Sequence, residues 1–232
     1  MKLLEDKVAL ITGASSKIGS EVTKRFVKEG ANVILISRSI ENLNSLYNEI
    51  KELEEFKENS VTLIQLDLLD FDSVKVFANK LLTGSLDILI ACAEALGSLS
   101  PIQDYELETF QNIINTNLIA NWYLLKNLDP ILKKSNAGRI IFVSLVPPSS
   151  YPCCGAYSAS KAALEVIMKV YASETKHTKL CVNVLHLQAD EAVSKLVEQA
   201  YESCNVSDDA VNKLVELASE SYNVSGKVFS LT

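Results

Sequence analysis

The stretch Thr12-Gly13-Ala14-Ser15-Ser16-Lys17-Ile18-Gly19 follows the apolar run Val8–Ile11 and precedes an amphipathic segment. This order of an apolar run, a glycine-bearing turn and a helix start predicts a strand, a tight turn and a helix. Backbone N–H groups and the helix dipole point at one spot there and would attract an anion. Gly13 would permit the tight turn, and Gly19 would let the helix pack close to the sheet. The turn therefore predicts an anion site at the end of the first strand.

The same alternation of apolar runs and amphipathic segments continues along the chain. Further apolar runs follow at Val33–Ile36, Val61–Leu66, Ile88–Ile90, Ile140–Val143, Val182–Leu185 and Val228–Phe229. Segments with helical periodicity lie between them at Ile18–Glu29, Asp72–Leu82 and Ala156–Thr175. Short runs that are apolar on both faces are typical of parallel strands covered by helices on both sides. We therefore predict an α/β fold with a doubly wound, mostly parallel seven-stranded sheet, and one domain over residues 1–232.

Composition and charge narrow the class of protein. The chain of 232 residues is 48% hydrophobic and 22% charged, which is typical of a globular protein. Its net charge of −7 would repel nucleic acid and anionic lipid, so we expect neither as a partner. Charges at Glu5, Asp6 and Lys7 interrupt the apolar segment that a secretory signal needs, and a cytoplasmic location is expected. The five cysteines and two histidines lack the spacing of metal ligands, so no metal site is expected.

A second motif, Tyr157-Ser158-Ala159-Ser160-Lys161, begins the amphipathic segment that follows the fifth apolar run. The spacing of four places Tyr157 and Lys161 on one face of a helix, about one turn apart. An adjacent ammonium group stabilises a phenolate and lowers the pKa of a phenol from its usual value near 10. Such a phenol is suited to proton transfer at a carbonyl oxygen. The spacing therefore predicts an acid–base pair.

Both motifs together resemble those of the short-chain dehydrogenase/reductase family. Residues 12–19 resemble the family's Thr-Gly-x-x-x-Gly-x-Gly turn, and residues 156–163 (Ala-Tyr-Ser-Ala-Ser-Lys-Ala-Ala) closely resemble its catalytic helix. The resemblance spans nearly the whole chain. It implies a Rossmann fold, a nicotinamide cofactor and a small-molecule carbonyl or alcohol substrate. It also implies a homodimer or homotetramer formed through the helices that carry Asn117 and Tyr157, although the apolar Trp122, Leu124 and Leu125 fit either such an interface or the core.

The resemblance implies a role for each residue of a catalytic set. Tyr157 would donate the proton, Lys161 would hold the nicotinamide ribose and tune Tyr157, and Asn117 would order a water in the proton relay. Ser144 precedes Tyr157 by 13 residues, the family's usual interval, and would complete the set. The strand before it usually ends in two small residues, however, and on that register Leu145 replaces the serine. Both assignments remain open.

Cofactor contacts are expected from the first turn, from the ends of neighbouring strands and from the catalytic helix. The expected residues are Gly13, Ser15, Ser16, Lys17, Ile18, Gly19, Arg38, Asp67, Ala93, Tyr157 and Lys161. An acid at the end of the second strand would hold the 2′-hydroxyl of NAD, whereas Arg38 suits a 2′-phosphate, so NADP(H) is expected over NAD(H). Arg38 could also be an exposed residue at a strand terminus. Asp67 either approaches the adenine amino group or caps the next helix.

Four departures from the family pattern support a second hypothesis, and one of them is Leu145 in place of the catalytic serine on the alternative register. Lys17 replaces the middle glycine of the turn, and it either contacts a phosphate or points to solvent. Glu94 replaces a glycine after the fourth strand, and its carboxylate is either solvated or repels the pyrophosphate. The family's Pro-Gly pair after the sixth strand is absent, and Glu191–Asn205 is predicted to form a polar amphipathic helix. The resemblance therefore implies an NADP(H)-dependent oxidoreductase, and the departures imply the alternative of a degenerate member that binds cofactor weakly or not at all and acts as a structural or interaction subunit.

Overall fold

Strands from the whole length of the chain form one sheet in the computed structural model, which describes residues 2–144, 152–187 and 207–231. They are β1 (Val8–Thr12), β2 (Asn32–Ser37), β3 (Val61–Gln65), β4 (Ile88–Ala91), β5 (Arg139–Ser144), β6 (Cys181–His186) and β7 (Val228–Ser230). Their order in the sheet is β3-β2-β1-β4-β5-β6-β7, and every neighbouring pair is parallel. The predicted seven-stranded doubly wound sheet is confirmed, and it is parallel throughout.

Helices connect these strands in the alternation that the sequence predicts. They are α1 (Lys17–Lys28), α2 (Ile40–Lys51), α3 (Phe71–Leu81), α4 (Leu107–Ile114), α5 (Ala120–Leu132), α6 (Gly155–Glu174) and α7 (Asp208–Ala218). A π-helical turn, Asn115–Ile119, joins α4 to α5. The three predicted helices are present, each shifted by one residue, whereas the helix predicted over Glu191–Asn205 lies outside the described residues. No helix in the described ranges is both long and apolar enough to cross a membrane.

Two apolar clusters, one on each face of the sheet, hold the helices in place. Side chains of α1, α2 and α7 form the first cluster with the sheet, and side chains of α3, α5 and α6 form the second. Each fully buried leucine or phenylalanine in them contributes roughly 1.5–3 kcal/mol. Leu124 and Leu125 on α5 belong to the second cluster, so they are core residues, while Trp122 is 42% exposed. Of the three residues considered for an interface between copies, only Trp122 is available.

The carboxyl ends of the strands meet at one edge of the sheet because all strands run in the same direction. The chain proceeds outward from β1 to β2 and β3, then crosses over and continues from β4 on the other side of β1. Thr12 at the end of β1 lies in register with Ile36 of β2 and Ala91 of β4. A crevice forms at such a switch point, because the connections leave in opposite directions, and ligands of doubly wound sheets bind there.

Candidate active site

The turn after β1 depends on two glycines that have no space for a side chain. Gly13 has φ of +61°, and a Cβ atom on it would lie 2.9 Å from the Cα atom of Ala93. A Cβ atom on Gly19 would overlap the carbonyl oxygen of Gly13, so α1 packs closely on the turn itself as well as on the sheet. Ser16 caps α1, and its Oγ accepts a hydrogen bond from the Gly19 N–H at 3.1 Å. The N-terminus of α1 is thereby fixed at the crevice.

A cavity of about 600 Å³ begins at this turn and extends along the strand ends. Eight of the nine cofactor residues predicted outside the catalytic helix line it: Gly13, Ser15, Ser16, Lys17, Ile18, Arg38, Asp67 and Ala93. The ninth, Gly19, lies behind the turn. The structure therefore brings together residues that lie up to 80 positions apart in the sequence, as is required of residues that share one ligand.

Arg38 and Asp67, which follow β2 and β3, both line this cavity. Arg38 is exposed, and its backbone carbonyl accepts a hydrogen bond from Gln65 at 3.0 Å. Asp67 is also exposed, and its carboxylate accepts from the Leu69 N–H at 2.9 Å. The alternative that Asp67 caps the next helix is wrong, because Asp70 is the N-cap of α3. Asp67 remains at the cavity wall.

Tyr157 and Lys161, the predicted acid–base pair, lie on the first two turns of α6 and are almost completely buried. Tyr157 is 1% exposed and Lys161 is 2% exposed. The Lys161 ammonium lies 5.4 Å from the centre of the Tyr157 ring. Tyr157 Oη is 3.2 Å from Ser144 Oγ at the end of β5, and either hydroxyl can donate that hydrogen bond. The structure therefore groups Tyr157, Lys161 and Ser144, while Leu145 lies outside the described residues.

Asn117 is buried in the π-helical turn and holds two segments of the site together. Its Oδ1 accepts from the Ala95 N–H at 2.7 Å, and its Nδ2 donates to the Ala95 carbonyl at 2.9 Å. The same Nδ2 donates to Ser160 Oγ on α6 at 2.9 Å. The side chain thus connects the loop after β4 to α6. The sequence did not predict these hydrogen bonds, because the residue type alone indicated only a polar side chain near Tyr157.

The Glu94 carboxylate is not solvated, which contradicts the first of the two alternatives considered from the sequence. Its side chain is 7% exposed and turned toward α6. One carboxylate oxygen, Oε2, lies 2.5 Å from Lys161 Nζ and accepts a hydrogen bond from Tyr157 Oη at 3.1 Å. The carboxylate therefore belongs to the same buried cluster as Tyr157 and Lys161. The only signal for this residue in the sequence was an acid in place of the family's glycine.

A neighbouring thiol and its surroundings do not add a nucleophile or a metal site. Cys92 is buried directly before Ala93, and burial raises the pKa of its thiol well above the usual range, with the Glu94 carboxylate adding to the effect. It is therefore held in the unreactive protonated form. Within residues 2–144, 152–187 and 207–231, no three histidine, cysteine or acidic side chains are grouped in a way that would hold a metal ion.

His186 at the end of β6 is a buried imidazole next to β5. It lies in register with Ser144, is 1% exposed, and its Nε2 is 2.8 Å from Glu165 Oε1. Its Nδ1 has no hydrogen-bond partner among the described residues. Burial lowers the pKa of His186, and the opposing effect of the Glu165 carboxylate is smaller. The folded protein therefore holds the ring neutral.

This burial predicts a loss of stability on acidification. The unfolded chain takes up a proton at His186 near pH 6.5, while the folded protein does so only at lower pH, so the free energy of unfolding falls as the pH drops below about 6.5. We expect the wild type to lose more stability than His186→Gln between pH 7 and pH 5.5 in urea titrations, by up to about 1 kcal/mol. The variant His177→Gln, which changes an exposed histidine, should keep the wild-type dependence. Parallel curves for wild type and His186→Gln would contradict the assignment.

Comparison with known proteins gives the family. The short chain dehydrogenase model matches residues 7–191. The uncharacterized oxidoreductase YciK of Escherichia coli K12 is 32% identical over 187 residues, covering 79% of this chain and 73% of that protein. An uncharacterized oxidoreductase of Mycobacterium bovis is 31% identical over 188 residues, which cover 79% of this chain. The chain spans only 55% of the length of that second relative.

Solved structures with the same fold cover almost the whole chain. The structure of Escherichia coli YciK has a TM-score of 0.86 and 28% identity, and it covers 99% of this chain and 96% of its own. A short chain dehydrogenase of Escherichia coli CFT073, solved as a complex with NADPH, has a TM-score of 0.86 and 28% identity, and it covers 99% of this chain and 98% of its own. The present chain belongs to the short-chain dehydrogenase/reductase family.

Proposed function

We propose that the protein is an oxidoreductase that transfers hydride between NADP(H) and a carbonyl or alcohol substrate, with Tyr157 as the proton donor and acceptor. The observation that carries this proposal is the grouping of Tyr157, Lys161 and Ser144 beside the cavity that starts at the Gly13 turn. A phenol, an ammonium and a hydroxyl in contact supply the acid, its electrostatic support and a second donor for one oxygen atom.

The cavity fits the adenosine end of the proposed cofactor. The N-terminus of α1 offers backbone N–H groups to the pyrophosphate, and the missing side chains at Gly13 and Gly19 allow the turn to form there. Arg38 is exposed at the end of β2, where a 2′-phosphate would need a guanidinium partner. The family neighbours solved with NADP and NADPH support the same choice. We therefore favour NADP(H) over NAD(H).

Each residue of the cluster has a separate role in the proposed proton transfer. The bound cofactor would supply the hydride. Tyr157 Oη would donate its proton to the substrate oxygen, and the Ser144 hydroxyl would hydrogen-bond to the same oxygen. The Lys161 ammonium would stabilise the phenolate left behind. Burial of all three groups keeps water away and strengthens each of these electrostatic contacts.

Direct titration tests this proposal. We expect purified protein to bind NADPH in the micromolar range by nicotinamide fluorescence and calorimetry, with NADH much weaker. A carbonyl screen that follows NADPH absorbance should then identify substrates. Absence of binding for both cofactors would overturn the proposal. That result would favour the second candidate function, an interaction subunit. The supporting observation for this candidate is the ion pair between Glu94 and Lys161, because it occupies the lysine that the first candidate function needs.

Arg38→Ala should change the choice of cofactor. Loss of a charge-assisted contact with the 2′-phosphate should raise the Kd for NADPH by about 10- to 100-fold. The Kd for NADH should stay within about twofold of the wild-type value. Calorimetric titration of both cofactors measures the two values. Lys75→Ala removes an exposed positive charge from α3 and should change neither. An equal loss of affinity for NADPH and NADH would show that Arg38 does not contact the 2′-phosphate.

The helices α5 and α6 also support the proposed assembly as a homodimer or homotetramer. Trp122 on α5 and Val166 and Val170 on α6 are exposed apolar side chains, with exposed fractions of 42%, 60% and 51%. Apolar groups of this size on two neighbouring long helices would gain from contact with a second copy. Light scattering of the purified protein tests the assembly, and a monomeric mass would contradict it.

A further inference from the structure

The Glu94 side chain forms the wall between the cavity and the acid–base pair. Glu94 and its neighbours Ala93 and Ala95 line the cavity, whereas Tyr157 and Lys161 are absent from its described lining. Both of these residues are almost inaccessible. One carboxylate oxygen of Glu94, Oε2, contacts both Tyr157 Oη and Lys161 Nζ. Of these three residues only Glu94 belongs to the described lining, so a ligand in the cavity contacts Glu94 and not Lys161.

The backbone on both sides of Glu94 is fixed. The Ala93 N–H donates to Thr12 Oγ1 at 3.3 Å, and the Ala95 N–H and carbonyl are both bonded to the Asn117 side chain. Movement of the segment as a whole would break these bonds. The carboxylate can therefore leave Lys161 mainly by rotation of its own side chain, and this rotation would have to separate a buried ion pair.

We propose that Glu94 determines which part of a ligand the cavity binds, because its carboxylate occupies the place on Lys161 that the family resemblance assigns to the nicotinamide ribose. In the resting protein the cavity takes a 2′-phosphorylated adenosine nucleotide. Ribose hydroxyls are neutral and bond to an ammonium more weakly than a carboxylate does. The nicotinamide half of NADP(H) must therefore displace Glu94, and it adds little to the affinity of the adenosine half. This inference rests on the proposed function.

Two ligands separate the halves of the cofactor. Adenosine 2′,5′-bisphosphate carries the adenosine, its 2′-phosphate and the 5′-phosphate, and NADPH adds the second phosphate of the pyrophosphate, the nicotinamide ribose and the nicotinamide. Calorimetric titration should give wild-type Kd values for the two ligands within about threefold of each other. Glu94→Gly removes the carboxylate and restores the glycine that the family pattern has at this position. This variant should bind NADPH about tenfold or more tightly than the wild type does, because the carboxylate no longer competes for Lys161. Its Kd for the bisphosphate should be unchanged.

A second variant of Glu94 separates the effect of its charge from that of its volume, and a variant of another glutamate is the control. Glu94→Gln keeps the volume and one hydrogen-bond acceptor but removes the charge. Its affinity for NADPH should therefore lie between the affinities of the wild type and of Glu94→Gly. It also provides the comparison if Glu94→Gly does not fold. Glu108→Gln removes one exposed negative charge from the first turn of α4 and should change neither affinity. Thermal unfolding of each variant checks that the fold is retained.

The possible results distinguish this inference from the proposed function. A wild-type protein that binds NADPH at least 30-fold tighter than the bisphosphate, with no gain in Glu94→Gly or Glu94→Gln, would overturn the role of Glu94 and leave the proposed function standing. Weaker NADPH binding in both variants would also overturn it, since Glu94 would then be a favourable contact. Failure of wild type and variants to bind either ligand would overturn both proposals.

Discussion

Tyr157→Phe is expected to lower kcat for carbonyl reduction by about a thousandfold while the Kd for NADPH stays within about threefold. General acids contribute roughly 10²–10⁴-fold to such steps, and the substitution removes only the oxygen that carries the proton. The ring keeps its position on α6, because it is buried among apolar neighbours in a small third cluster. Stopped-flow measurement of NADPH oxidation, with a carbonyl compound that the wild type reduces, gives kcat directly.

A second tyrosine on the same helix provides the control. Tyr171 Oη donates to Asp129 Oδ1 at 2.6 Å near the other end of α6. Tyr171→Phe loses a comparable hydrogen bond and should lower the free energy of unfolding by about 1 kcal/mol without changing kcat. If Tyr157→Phe retained more than a tenth of the wild-type kcat, the proton would come from another group, and Ser144 would be the next donor to test.

Much of the fold follows from local patterns in the sequence. The apolar runs gave the strands with end shifts of one residue, because a strand that is buried on both faces must be apolar along its whole length. The first turn was equally predictable, since φ of +61° at Gly13 and the overlap at Gly19 allow no other residue type without strain. Convergence of Arg38 and Ala93 on that turn then follows from parallel strands that end at one edge.

The polar contacts inside the site were not predictable in the same way. Asn117 bonds to residues 22 and 43 positions away, and Glu94 bonds to Tyr157 across 63 positions. No periodicity encodes such pairs, because they depend on how α6 packs against the loop after β4. The helix cap at Asp70 was missed for another reason, since Asp67 offers the same side chain three positions earlier. Residue type indicated that these side chains were unusual but not where they point.

Lys161→Met should destabilise the protein by about 3–5 kcal/mol, because it leaves the Glu94 carboxylate buried without its cation. Methionine retains much of the apolar stem of the lysine, so the loss of packing is small. Urea unfolding at pH 7 measures the change. The exposed pair of Lys57 and Glu5, with atoms 2.7 Å apart, provides the comparison, and Lys57→Met should leave the free energy of unfolding unchanged within experimental error.

A double variant tests whether the cost comes from the unpaired charge. Glu94→Gln in the Lys161→Met background removes that charge while it keeps an acceptor for Tyr157 Oη. We expect the double variant to unfold within about 2 kcal/mol of the wild type, so that the second substitution restores most of the stability lost in the first. If Lys161→Met instead cost no more than Lys57→Met, the carboxylate would not be held by Lys161. Glu94 would then have no energetic reason to exclude the nicotinamide ribose.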